Sequence, residues 1–413
     1  MEFLEKFAHE TGQPAAESVA VSSRLTMEPM TWLKIEFRRP QQLAALLLLL
    51  FAAQCLWVVH RQTLTNLDYQ YARCGRELWE KPSPLAGYLT TCGNLPDGTL
   101  AYRAAGLPLT LERLIAGFPS SDSTWEMRHL VRYVLLLLRL PFIFFGVWLG
   151  GALWWVSRRL YGNEGGFIAL GLFCFSPEMI RVCVQPDNEI LAAWGMYGIV
   201  YTAIGLAHAM QGPTRKWRPR LVLLALALGL TATAHIAAAI VGLLLGVGLM
   251  FYLAEGQRSR ILPVVAMASA GGFLLLFASY TFNPDAFSYI FQSADARMWF
   301  SLDGTRHMLA RLPNAGITIA AIVSLVLYAL DRRSRYFGNT APLMIAALLF
   351  GLQSTGVSSE PWIWALPFGL TFIGGVFADM LETRHRRLFL WLAGSILVTQ
   401  AVFSVLSLPL LLQ

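Results

Sequence analysis

Long apolar runs separated by short basic turns repeat along almost the whole chain. Gln42 to His60, Arg132 to Val156 and Leu388 to Leu412 each approach or exceed the roughly 20 residues a helix needs to cross a hydrocarbon core. The same reading predicts spans near 42–60, 132–157, 165–182, 189–209, 220–235, 236–254, 261–283, 315–330, 341–356, 362–380 and 388–412. The stretch 220–254 is divided at His235, because one pass would be too long and would break the alternation of basic turns; a re-entrant hairpin is the alternative there. The first apolar run opens at residue 42, behind a polar tail containing Glu2, Glu5, Glu10, Glu17, Glu28 and Glu36. It reads as a retained anchor rather than a cleaved leader.

Composition agrees with that pattern. Of 413 residues, 56% are hydrophobic and 14% charged, and mean hydropathy is +0.52, so lipid must solvate much of the surface. The formal charge of +7 is explained by where the cations fall, and no nucleic-acid partner is expected. With the amino terminus inside, the cytoplasmic turns collect Lys34, Arg38, Arg39, Arg158, Arg159, Arg215, Lys216, Arg218, Arg220, Arg258, Arg260, Arg332, Arg333, Arg335, Arg384, Arg386 and Arg387. The short outer connections hold Arg181, Arg297, Arg306 and Arg311, an asymmetry that sets the orientation. The expectation is an all-α polytopic helical bundle of about eleven transmembrane helices with its amino terminus in the cytoplasm. It divides into a cytoplasmic tail (1–41), a first module (42–260) and additional helices (261–413).

Two outer segments are long enough for structure of their own, 61–129 and 283–314. In the first, Tyr71, Cys74 and Leu78 recur at helical spacing with Arg73, Arg76, Glu77 and Glu80 on other faces, which predicts an amphipathic helix at the interface. In the second, Phe287, Tyr289, Ile290, Phe291, Trp299 and Phe300 lie among charges, as suits a segment on the membrane or folded over a site. Cys74 and Cys92 share the first outer loop, where oxidation to a disulfide is feasible. The chain contains no Cys/His metal-ligand spacing, Walker loop or dinucleotide fingerprint.

Candidate chemistry follows from the orientation. Asp68 stands just past the first span and Asp187 at the turn between the third and fourth, so both carboxylates emerge at the outer boundary. Each also has a plain structural account: Asp68 as a helix N-cap, and Pro186-Asp187 as a helix start. Arg181 at the same boundary suits a snorkelling side chain or a phosphate contact, and Arg73, Arg76 and Lys81 extend the second option. His235 is the one ionisable residue in 221–254; such a group inside a membrane is a functional candidate, although a turn there would let it reach water.

Taken in order, the acid after the first span, Arg139-Leu-Pro-Phe142, Arg158-Arg-Leu-Tyr-Gly162, Gly166-Phe-Ile-Ala-Leu170, Phe175-Ser-Pro177 and Pro186-Asp187 resemble the membrane-embedded GT-C glycosyltransferases. The flavour is that of the family 39 protein mannosyltransferase and aminoarabinose transferase group, over roughly 42–210. Trp79-Glu-Lys-Pro-Ser-Pro-Leu85 is similar to that family's proline-containing first-loop stretch. The resemblance implies an inverting transferase that moves a sugar from a polyprenyl-phosphate carrier to an acceptor outside the membrane. Asp68 is then the base, Asp187 the second acid, and Arg73, Arg76, Lys81, Arg181 and His235 substrate contacts. A divalent cation is the single candidate cofactor, and membrane lipid and partner subunits are candidate partners. The chain departs from the family where Tyr69 and Gln70, rather than a second acid, follow Asp68, and where Glu360-Pro-Trp-Ile-Trp-Ala-Leu-Pro367 lacks an Arg-Tyr pair. A non-catalytic subunit of the same fold, binding lipid or protein, is the alternative.

Overall fold

The computed structural model describes residues 39–80, 98–116, 124–212, 214–254, 256–285, 287–288, 298–301, 303, 306, 310–354 and 361–412. A helix forms at every predicted span. The first, α1, covers Arg39–Arg61 and is followed by two shorter helices, α2 (Asn66–Glu80) and α3 (Leu100–Ala116). The long α4 (Thr124–Cys174) contains two predicted passes joined at Gly162, whose φ of 82° suits a residue without Cβ. Its arms run antiparallel, since Gly150 faces Phe173 and Gly166 faces Arg158.

After α4 come α5 (Pro177–Cys183), α6 (Glu189–Met210), α7 (Thr214–Ala234) and α8 (Ile236–Leu253). They lead to α9 (Ile261–Ser279), α10 (Ala315–Leu330), α11 (Phe337–Gly351), α12 (Pro361–Leu381) and α13 (Arg386–Ser407). Among the described residues, eight stretches are long and apolar enough to cross a membrane, the two-armed α4 counted among them as one. The division at His235 is real. Along α6, Gly195 and Gly198 meet Thr231 and Ala227 in falling order, whereas Ile199 and Ala203 meet Gly242 and Gly246 in rising order. Hence α7 and α8 form a tight hairpin.

At the centre stands α12, buried along nearly its whole length and packed chiefly on α4, with α6, α10, α11 and α13 around it. A helix apolar on every side suits only such a position. The main core joins residues from Ala44 to Leu408, so it is continuous across the expected boundary at 260–261. The flanking helices present leucine, valine and tryptophan outward, among them Leu46, Leu49, Leu244, Leu274, Val398 and Trp391, as an integral membrane protein requires.

The first loop holds a second helix that its sequence pattern does not predict. α2 and α3 cross backbone to backbone: a Cβ on Gly75 would lie 2.2 Å from the Tyr102 carbonyl oxygen. Tyr71 stacks on Tyr102 with centroids 4.2 Å apart, and Trp79 donates its indole N–H to the Arg103 carbonyl at 2.8 Å. Arg103 in turn donates to the Ser279 carbonyl through Nε (3.2 Å) and Nη2 (2.7 Å), fastening the loop to the end of α9. Cys74 is disulfide-bonded; its expected partner Cys92 lies outside the described residues, as do Lys81 and the Pro82–Leu85 stretch. In the second loop, β1 (Met298–Phe300) pairs antiparallel with β2 (Leu352–Ser354).

Candidate functional site

α2 begins with a reciprocal capping box. The Asp68 N–H donates to Thr65 Oγ1 at 3.2 Å, and Asp68 Oδ2 accepts from the Thr65 N–H at 2.9 Å. The cap expected at Asp68 is therefore Thr65, and Asp68 is the third residue of the helix. Its carboxylate also accepts from Thr65 Oγ1 (2.7 Å) and, in a bidentate pair, from Arg139 Nε (2.9 Å) and Nη2 (2.7 Å). Arg139 completes its fork on Gln62 Oε1, and Gln62 donates to the Leu411 carbonyl at 2.7 Å. Asp68 is 0% and Arg139 2% exposed. Four donors thus converge on a carboxylate with about four acceptor sites. Three of them meet on Oδ2 and one on Oδ1.

A second charged group is assembled from distant segments. The α4 helix breaks at Ser176, whose Oγ accepts from the Met179 N–H at 3.4 Å, and Pro177 starts α5. This delivers Glu178 and Arg181 to one turn, with Arg181 Nε 3.0 Å from Glu178 Oε2. Buried Glu178 also accepts from Arg311 Nη1 at 3.0 Å and Asn314 Nδ2 at 3.5 Å. The Arg181 guanidinium lies over the Trp362 ring, 5.8 Å from its centroid. Both arginines keep partly exposed side chains, so one buried carboxylate holds two guanidinium groups that still face outward.

Asp187 lies in the link from α5 to α6. It is half-buried, and its Oδ1 accepts from the Asn188 N–H at 2.6 Å. The next acid, Glu189, is buried and accepts the Trp364 indole N–H at 2.7 Å. His235 packs edge-on against the same indole, 5.0 Å between centroids, and caps α8 by accepting the Ala238 N–H on Nδ1 at 3.4 Å. That bond leaves the proton of the neutral ring on Nε2. Of the two tryptophans on α12, Trp362 thus meets Arg181 and Trp364 meets Glu189 and His235.

The remaining expected contacts lie apart from this group. Arg73 is exposed on α2, and Arg76 pairs with Glu80 at 2.9 Å. Glu80 also pairs with Arg113 of α3. Burial alone would raise the Glu80 carboxyl, but Arg76 and Arg113 together hold it below its ordinary value. Sequence reading passed over Glu178, Glu189, Arg311 and the two tryptophans. For Arg139 a signal existed: a charged residue within an apolar span.

No family model matches the chain, and no curated protein matches it in sequence. Solved structures do match it. ArnT from Cupriavidus metallidurans bound to undecaprenyl phosphate aligns with a TM-score of 0.59 at 14% identity, over 86% of this chain and 62% of that one. Its apo state gives 0.57 at 13% identity, with the same coverage of 86% and 62%. AglB from Archaeoglobus fulgidus, an oligosaccharyltransferase solved with an inhibitory peptide and a dolichol-phosphate, gives 0.55 at 11% identity, over 89% and 56%. Both are GT-C glycosyltransferases, and the fold found here is theirs. The chain spans about three-fifths of the length of these proteins.

AglB was also solved in complex with Zn and sulfate, at a TM-score of 0.51. The described residues do not fit a metal ion. Among the described residues no three His, Cys, Asp or Glu side chains converge. Asp68 is bonded to Arg139, Glu178 to Arg181 and Arg311, and Glu189 to Trp364. The candidate cation has no ligand set among them.

Proposed function

We propose that the chain is a membrane glycosyltransferase that moves a sugar from a polyprenyl-phosphate donor to an acceptor at the outer face of a bacterial inner membrane. The observation that carries this reading is the half-exposed Asp187, six residues along the chain from the outward-facing Arg181–Glu178–Arg311 cluster. The fold shared with polyprenyl-phosphate-bound ArnT supports it.

In this reading the acceptor hydroxyl gives its proton to Asp187 as its oxygen attacks the anomeric carbon. The bond from that carbon to the phosphate oxygen breaks, and the phosphate departs with the electron pair. A single displacement inverts the anomeric centre. Arg181 and Arg311 meet the charge that grows on the departing phosphate. In this reading Asp187 rather than Asp68 is the base, because Asp68 is fully buried and paired with Arg139. Asp68 and Arg139 instead lock the first loop onto the bundle.

The test is transfer of labelled sugar from a panel of polyprenyl-phosphate donors, in membranes holding equal amounts of each protein. Asp187→Asn is expected to lower transfer by orders of magnitude; wild-type turnover by it would remove the assigned base. The closure of Asp68 favours one other reading, a non-catalytic subunit of the same fold, and absence of transfer by the wild type across the panel would establish that reading. For the orientation, single cysteines at Asn163 and Asn94 are expected to label from opposite sides with an impermeant thiol reagent.

A further inference from the structure

Gln400 is fully buried in α13, a helix that otherwise turns Trp391, Val398, Val402, Val405 and Leu406 outward. A carboxamide inside an apolar span costs several kcal/mol unless it is bonded. Here its amide is bonded three times. Nε2 donates to the Phe175 carbonyl at 2.7 Å and the Pro313 carbonyl at 3.0 Å, and Oε1 accepts from the Ile317 N–H at 3.0 Å. All three partners are backbone groups at helix breaks. In a continuing helix Phe175 would accept from Met179, but the Met179 N–H is given to Ser176 Oγ. Pro313 and Ile317 would bond to each other across one turn; Gln400 stands between them and takes both.

These two breaks carry the two guanidinium groups. The break at Phe175–Pro177 leads directly into Glu178 and Arg181, and the turn at Leu312–Asn314 is flanked by Arg311. The same pair of segments is thus fastened twice, by Gln400 on the side of α13 and by Glu178 among the charges. We propose that Gln400 is a positioning residue for donor binding: by tying the α5 break to the turn before α10, it sets the spacing of Arg181 and Arg311. This rests on reading those arginines as phosphate contacts.

The probe is undecaprenyl phosphate titrated into nanodiscs of neutral lipid that contain the full chain, with phosphatidylglycerol as the generic anionic control. Gln400→Met removes all three bonds, and Gln400→Glu keeps the Ile317 bond while losing the donated ones. Gly316→Ala is the second variant, since a Cβ there would lie 2.6 Å from Gln400 Cβ and push the joint apart. Gln54→Met is the comparator. Gln54 is also buried and donates to the neighbouring Cys174 carbonyl at 3.1 Å, but none of its bonds reaches the 311–317 segment.

Donor affinity is expected to fall about tenfold in Gln400→Met, the equivalent of one or two hydrogen bonds. It should also fall in Gly316→Ala and stay unchanged in Gln54→Met at a similar loss of thermal stability. Wild-type affinity in folded Gln400→Met overturns the proposal. So does an equal loss in Gln54→Met, which would make the effect one of stability alone. A wild type that binds undecaprenyl phosphate no better than phosphatidylglycerol removes the phosphate reading itself, and is recognised because no variant then differs from it.

Discussion

Asp68, in the first turn of α2, and Asp187, in the link from α5 to α6, are both acids that follow a span in the sequence, yet their surroundings differ. Asp68 is sealed under Arg139 and Thr65 with no exposed surface, whereas Asp187 is half-buried in the short link that follows Arg181. A carboxylate deep in a low-dielectric site must be fully bonded, and a fully bonded carboxylate is a joint. One that keeps contact with water and substrate remains available for proton transfer. Position after a span therefore does not by itself say which acid keeps contact with water.

The largest effect is expected where chemistry is lost. Asp187→Asn keeps a side-chain oxygen for the Asn188 N–H but is a far weaker proton acceptor, so transfer should fall by roughly 10² to 10⁴ with folding intact. Radiolabel transfer at matched protein amounts measures it. An equal fall in Asp68→Asn at unchanged thermal stability would erase the distinction between the two acids.

Next comes the sealed pair. Asp68→Asn or Arg139→Gln alone leaves a buried partner uncompensated and should destabilise the chain by about 3–5 kcal/mol. The double variant should cost less than the sum of the singles. Thermal unfolding in nanodiscs across the four proteins checks this, and additive losses would show that the pair is not a unit.

Smaller effects belong to the outward arginines. Arg181→Ala and Arg311→Ala should each weaken donor binding by roughly 10-fold, about the equivalent of one charge-assisted hydrogen bond, with the KM for acceptor unchanged. A rise in the acceptor KM instead would move the cluster to the other substrate.

The smallest concerns Glu80, which joins α2 to α3 through Arg76 and Arg113 and contributes at most about 1 kcal/mol at its exposure. Its carboxyl is held below the ordinary 4.5, so its contribution is complete above that pH and is lost as pH falls through the lowered value. Protease cleavage of the first loop should therefore differ between wild type and Glu80→Gln near neutral pH and converge in acid. A difference that persists in acid would rule out titration as its cause.

Much of this architecture was legible along the chain. Span positions, the hairpin at His235 and the amphipathic face of α2 follow from local hydropathy and periodicity, which a lipid solvent reads residue by residue. α3 escaped because Pro108 sits within it and its stabilising contacts, Tyr71 to Tyr102 and Gly75 to Gly106, come from another helix. Tertiary structure alone chose the partners of the charges. Arg139 lies 71 positions from Asp68, Arg311 lies 133 from Glu178, and Gln400 lies 225 from Phe175. Hydropathy is a property of each segment by itself, but whether a buried carboxylate is closed or open depends on which donors distant segments bring to it, and that is settled only when the helices pack.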